Sequence, residues 1–358
     1  MPHSIQKVFL TGANGFIACH ILSDLIKAGY LVTASVRSKT KSEEILEVHP
    51  EWKDIVRFVY VPDFTVPGAF DEAIKQEKKG LNYIIHTASP VTVDVEDIQK
   101  QIIDPAVKGT TSLLKSVHEH GGPQVKRVVL LSSSAAIVNC LEDTSLKGDP
   151  YSEKDWNPNH ITAEKAVEEK NPLFGYCAAK TLAEKAAWKF LEDNKTSFDM
   201  TVLNPDVVIG PMIHNVSEPG KVNETNRFTI VRFLDGTRTG VEGWELPFYS
   251  FVDVRDVSRA HLLSLDSPKT SNQRVDLVNA HISPQLVVNI IRKNFPELKS
   301  RVPEGNPSQI VPDGIQMSRW NNEKSFRVFG NDWTYRDLET SVVDTVKNIL
   351  TLEKEWQK

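Results

Sequence analysis

The sequence predicts an α/β fold: a Rossmann-type doubly wound parallel sheet with a smaller C-terminal substrate lobe. Three observations predict it. Short apolar runs alternate with helical stretches through the first two hundred residues, the pattern of a parallel sheet with helices on both faces. A glycine-rich turn joins the first strand to the first helix. The residues able to do chemistry gather where later strands end, which is where open α/β sheets bind their ligands.

Composition sets the frame. At 358 residues, with 40% hydrophobic and 25% charged residues, the chain reads as a globular protein of roughly two domains. The net charge is -5, with no long basic run, so a nucleic-acid binder is not expected. No apolar run approaches the ~20 residues that span a bilayer. The first strand begins by about Gln6, which leaves no room for a cleaved signal; a cytoplasmic location is expected, without membrane partners. Cys19, Cys140 and Cys177 are odd in number and form no CxxC, so they read as free thiols. The histidines show no ligand spacing, and no metal is expected.

The elements follow in order. Residues 6–11 form a buried strand, and Thr11 to Ala18 open a helix that runs to about Lys27. Gly12 and Gly15 let the backbone turn tightly there, and a pyrophosphate can sit on the positive helix N-terminus. Asn14, Phe16 and Ile17 belong to the same predicted cofactor loop. The second strand, 31–36, ends in Ser35 and Val36, where an NAD site wants an acid for the ribose 2′-OH. Arg37 follows, with Lys39 or Lys41 nearby, and these bases suit a 2′-phosphate. The expected cofactor is therefore NADP(H). Strands are read at 55–61 and 83–86. After the first, Asp63 is placed to bond the adenine amino group, with Phe64 beside it. After the second, the small Thr87, Ala88 and Ser89 let the cofactor lie close. A long helix interrupted by Pro105 is expected over 94–120, then a strand over 126–131 ending in Ser132, Ser133 and Ser134. One of these hydroxyls can bond a substrate carbonyl.

Residues 173–193 carry the centre of the chemistry. Ala, Leu, Glu and Lys make this stretch helical, after an Asn171-Pro172 start. Tyr176 and Lys180 stand four apart, on one helix face. An ammonium near a phenol favours phenolate, so Lys180 is expected to lower the pKa of Tyr176, and a phenol so tuned can give a proton to a carbonyl oxygen. On either side lie long polar segments, 140–171 and 211–246, which read as loops roofing a cleft. Met212, Phe228, Phe233, Trp244 and Phe248 are candidate pocket walls. Residues 251–260 are expected to return to the sheet, and helices are read at 284–294, 321–327 and 335–356. The expected division is residues 1–205 with 251–280 as the nucleotide domain, and 206–250 with 281–358 as the substrate lobe.

These motifs resemble the extended short-chain dehydrogenase/reductases, in the dihydroflavonol-reductase-like branch that includes fungal NADPH-dependent aldehyde and ketone reductases. TGANGFIA, VRSKTK, PDFT, HTASP, LLSSSAA, YCAAK, NPDVVIGP and FVDVRDVSRAHL run in family order between residues 11 and 262. The resemblance implies a carbonyl reductase acting on a small-molecule aldehyde, ketone or keto ester, as a monomer or homodimer. It implies Tyr176 as the acid and Lys180 on the nicotinamide ribose. Ser134 would hold the carbonyl oxygen, with Ser133 as second choice. Pro205, Val207 and Val208 would lie against the nicotinamide, and Asp256 reads as structural. Ala106 stands where related enzymes often have an asparagine. Val91, Ala135 and Asn139 mark a substrate pocket roomier than in the fungal reductases. A dihydroflavonol- or steroid-type ketone reductase, a nucleotide-sugar epimerase and a non-catalytic NADP sensor are the rivals.

Overall fold

The computed structural model describes residues 6–77, 80–89, 95–141, 148–244, 248–315 and 317–357. Seven strands are parallel throughout: β1 (Lys7–Thr11), β2 (Leu31–Val36), β3 (Val56–Tyr60), β4 (Leu81–His86), β5 (Arg127–Leu131), β6 (Asp199–Pro205) and, further along the chain, β9 (Gln273–Leu277). Their spatial order is β3-β2-β1-β4-β5-β6-β9. Alternate residues of β1 serve the two faces. Val8 and Leu10 pack with Ile21, Leu22 and Leu25 of helix α1 (Phe16–Lys27). Phe9 packs with Leu113, Leu114 and Val117 of α4 (Asp104–His120), which follows α2 (Lys39–Val48) and α3 (Asp71–Glu77) in the chain. Burial on both sides explains why these strands read as continuous apolar runs. The strand order reverses between β1 and β4, the place where such sheets open a crevice for ligands.

Several elements differ from expectation. Residues 250–253 do not return to the large sheet. They form β8 (Ser250–Asp253), which pairs with β7 (Val207–Ile209) and β10 (Ala280–His281) in a separate three-stranded sheet. Pro205 has no amide hydrogen with which to extend the ladder of β6, and after Asp206 the chain leaves one sheet for the other. The irregularity expected at Pro105 forms as a π-helical turn, Gln99–Ile103, that runs into α4 with Pro105 as its second residue and no N–H to offer the helical ladder. The two polar segments are partly helical. One contains α5 (Asn159–Glu168), the other short turns between Glu224 and Leu234. Helices Pro284–Asn294, Glu323–Phe329 and Leu338–Trp356 form in the tail. Val342, Val346 and Ile349 of the last helix join Val207, Ile209, Phe233 and Phe251 in one apolar cluster.

The predicted central helix is α6 (Pro172–Asp193). The Asn171 side chain accepts from Leu173 N at 3.0 Å and Phe174 N at 3.3 Å, an N-cap worth about 1 kcal/mol. A Cβ at Gly175 would stand 2.5 Å from Cγ2 of Ile98, so glycine lets α6 pack directly on the preceding π turn. Asp256 is buried, accepts from Arg336 N at 2.7 Å and pairs with the Arg336 guanidinium.

Candidate active site

A cavity of about 770 Å³ opens over the ends of β1, β4, β5 and β6. The structure brings most of the predicted residues to its wall. Gly12, Asn14, Gly15, Phe16 and Ile17 line it from the first loop, with Arg37 and Phe64 beyond β2 and β3. Thr87, Ala88 and Ser89 line it after β4, Ser133 and Ser134 after β5, Tyr176 and Lys180 from α6, and Pro205, Val207 and Val208 from β6 and β7. Phe228, Trp244 and Phe248 form an aromatic wall, whereas Met212 and Phe233 lie buried in the neighbouring core.

Other predicted residues are not at the wall. Lys41 bonds Glu44 at 2.8 Å instead of reaching the cavity. Asp63 is exposed, and its Oδ1 accepts from Thr65 N at 2.8 Å and Thr65 Oγ1 at 2.6 Å. Ala135 is buried within the 3₁₀ turn Ser134–Ala136. Asn139 turns its Oδ1 to Leu141 N at 3.2 Å, a local bond that satisfies the loop rather than the cavity. Val91 lies outside the described residues.

Thr11 and His86 join the two central strand ends. Thr11 Oγ1 accepts from Thr87 N and Ala88 N, each at 3.1 Å, and lies 2.8 Å from His86 Nδ1. With both amides donating to it, the hydroxyl gives its own hydrogen to Nδ1, which makes His86 the Nε2–H tautomer. Burial lowers its pKa to about 3, with a smaller contribution from Lys180, so the ring is neutral.

The electrostatics of Tyr176 correct the expectation. Burial pushes its phenol up to about 12; the Ser133 hydroxyl opposes that rise, while Cys177 and Asp206 add to it. Lys180 does not offset the burial. Its Nζ lies 5.8 Å from the Tyr176 ring centroid, and its own pKa falls to about 8 through burial, against Glu184. Losing water around a phenolate outweighs an ammonium that lies over the ring and is itself easily neutralised.

The three serines have three different partners. Ser132 Oγ donates to Glu184 Oε2 at 2.6 Å. Ser133 Oγ accepts from Ala135 N at 3.2 Å. Ser134 Oγ donates to Asp206 Oδ1 at 3.1 Å. Asp206, Glu184 and Arg274 are among the polar residues that sequence reasoning missed. Glu184 carried a signal, since it stands four after Lys180 on an alanine-rich face. Arg274 carried none, because it arrives from β9, ninety residues away.

Comparison with known proteins gives the lineage. Residues 8–279 match the NAD dependent epimerase/dehydratase family. The chain belongs to that family. It is 38% identical to a ketoreductase of Aspergillus niger over 346 residues, covering 96% of this chain and 98% of the relative. It is 34% identical to an NADPH-dependent methylglyoxal reductase of Saccharomyces cerevisiae, covering 97% and 99%. The crystal structure of yeast methylglyoxal/isovaleraldehyde reductase complexed with NADPH superposes with a TM-score of 0.86 at 31% identity, covering 98% of this chain and 100% of that one. Within the epimerase/dehydratase family, the chain is an extended short-chain dehydrogenase/reductase with fungal methylglyoxal reductases among its close homologues.

The family's nucleotide crevice keeps donors and shape for a dinucleotide in this member. Gly12 has φ +68°, and a Cβ there would stand 3.0 Å from Ala88 Cα, so only glycine lets the loop close against β4. Helix α1 has no side-chain cap, which leaves its first-turn amides for an anion. No carboxylate stands at the end of β2, and Arg37 lines the cavity.

Proposed function

We propose that this chain is an NADPH-dependent carbonyl reductase in which Tyr176 gives the proton to the substrate oxygen. One observation carries the reading: the Tyr176–Lys180 pair of α6 faces the same cavity as the glycine loop and Arg37. NADPH, when bound, supplies the hydride. The first-turn amides of α1 would hold its pyrophosphate, Arg37 its 2′-phosphate and Lys180 a ribose. Pro205, Val207 and Val208 would lie against the nicotinamide, and Phe64, Thr87, Ala88 and Ser89 would flank the cofactor.

A phenol raised to about 12 stays protonated throughout the neutral range and remains a proton donor, because an alkoxide is a stronger base than a phenolate. Ser134, with Ser133 as the alternative, polarises the carbonyl oxygen by donating a hydrogen bond. Phe228, Trp244 and Phe248 exclude water from the substrate side and favour an apolar or aryl substituent. Aldehydes, aryl ketones and keto esters are the proposed substrates.

The test follows NADPH absorbance with methylglyoxal, isovaleraldehyde, aryl ketones and keto esters, beside an NADH control. Net NADPH consumption is expected, which an epimerase would not show. Arg37→Ala should raise KM for NADPH about 10- to 100-fold, as loss of a charge-assisted contact implies, and leave NADH turnover unchanged. Equal use of NADH by the parent enzyme would remove the role of Arg37. Tight NADPH binding without turnover of any carbonyl would favour the sensor.

A further inference from the structure

Asp206 occupies the single position between β6 and β7, where the chain passes from the large sheet to the small one. Its backbone is pinned by a bond from its own N–H to Leu277 O at 3.2 Å. Its carboxylate is buried at the cavity wall, with Oδ1 accepting from Ser134 Oγ at 3.1 Å and from Val207 N at 3.0 Å. Neither bond is a charge pair, so the ion sits in a low-dielectric site with two hydrogen bonds in place of its water. Such a carboxylate is costly beside an oxygen that gains negative charge during carbonyl reduction.

The consequence for Ser134 is geometric. A serine hydroxyl has one hydrogen, and here it points at Asp206. While it does so, it cannot donate to a substrate oxygen. Building on the reductase reading above, we propose that Asp206 is a positioning residue for Ser134: as the ion it withholds the serine hydroxyl, and as the neutral acid it frees that hydroxyl for the carbonyl. The ion also opposes the developing alkoxide, so both effects act in one direction.

Burial raises Asp206 to about 7, with the Ser134 and Val207 bonds pulling the other way. The sign follows: the productive neutral form is present below that value and is lost as pH rises through it. The charged or titratable groups around the site are Tyr176 of α6, which feels the Asp206 charge, Lys180 one turn on, and Arg37, Glu224, Arg232 and Arg238 elsewhere on the cavity wall. Ionised Asp206 raises Tyr176, which keeps the phenol protonated and leaves Ser134 as the group that changes. Lys180 titrates higher, at about 8, and supplies a second limb that does not depend on Asp206.

The experiment measures kcat/KM for carbonyl reduction from pH 5.5 to 9.5, at saturating NADPH, for the parent enzyme and Asp206→Asn. The parent should fall by up to about tenfold per pH unit above its midpoint, as loss of one required proton dictates. Asp206→Asn keeps the size and the acceptor but cannot ionise, and should lose this limb. A limb that persists unchanged in the variant assigns it to the Tyr176–Lys180 pair and overturns the proposal. A second readout needs no turnover. In the cofactor-free chain labelled with ¹³C at aspartate carboxyls, the resonance absent from Asp206→Asn should titrate above the ordinary carboxylate range. Ser134→Ala, which removes a donor to the ion, should move that midpoint upward, and an unmoved midpoint refutes the pairing. An enzyme that reduces no carbonyl at any pH defeats the reductase reading by itself, while the resonance shift still decides whether Asp206 and Ser134 are coupled.

Discussion

Replacing Tyr176 by phenylalanine should lower kcat for carbonyl reduction by about 10²- to 10⁴-fold, the usual contribution of a positioned general acid. The ring remains, so packing in the cluster around Phe174 and Leu173 is kept. Only a hydroxyl is lost, and with it the proton delivered to the substrate oxygen. Affinity for NADPH should stay within about threefold, because the Arg37 contact and the α1 amides are untouched. Tm should change little for the same reason. Stopped-flow single turnovers beside cofactor titration by fluorescence separate the outcomes. A variant that reduces carbonyls at near-parent rates would rule out Tyr176 as the donor. A variant that fails to bind NADPH would make it a binding residue instead.

The second large effect is on stability. Glu184 is a buried carboxylate on α6, and Arg274 Nε donates to it at 2.5 Å from β9. Asn204 Nδ2 adds a bond at 2.8 Å, and Ser132 Oγ one at 2.6 Å. The Arg274 guanidinium also stacks over Trp156 at 3.7 Å and donates to Ala136 O at 3.1 Å. One side-chain cluster therefore ties the helix carrying Tyr176 and Lys180 to β5, β6 and β9. Arg274→Ala removes the guanidinium that pairs directly with the buried Glu184 and should destabilise the fold by about 3–5 kcal/mol. The measurement is a urea midpoint at constant m-value. Glu184→Gln combined with Arg274→Met removes both charges and should recover part of that loss. A loss below about 1 kcal/mol for Arg274→Ala would show that water reaches Glu184 and that the network does not hold α6.

Much of the fold was legible because its signals are local. The strand at 31–36 and the helix at 284–294 matched residue for residue, since apolar runs and caps depend on neighbouring positions alone. The return of 251–260 to the large sheet does not occur, because a short buried strand such as β8 carries no information about which sheet receives it. The interruption expected at Pro105 forms as the π-helical turn that leads into it, because a ring without an N–H disturbs the helical ladder locally.

The candidate site divides along the same line. The Gly12–Gly15 spacing, the missing acid at Val36 beside Arg37, and the four-residue step from Tyr176 to Lys180 are properties of the covalent chain, and they were enough to point to an NADP-dependent reductase. Asp206, Glu184 and Arg274 acquire roles only when β5, β6, β9 and α6 meet. The protonation of Tyr176 is likewise a tertiary property. Spacing in the sequence predicts that an ammonium comes near, but the pKa depends on how much water is excluded and how far the charges stand apart. In the folded chain burial prevails, with Tyr176 raised to about 12 and Lys180 lowered to about 8. A linear sequence records which groups can meet, and the dielectric in which they meet exists only after folding.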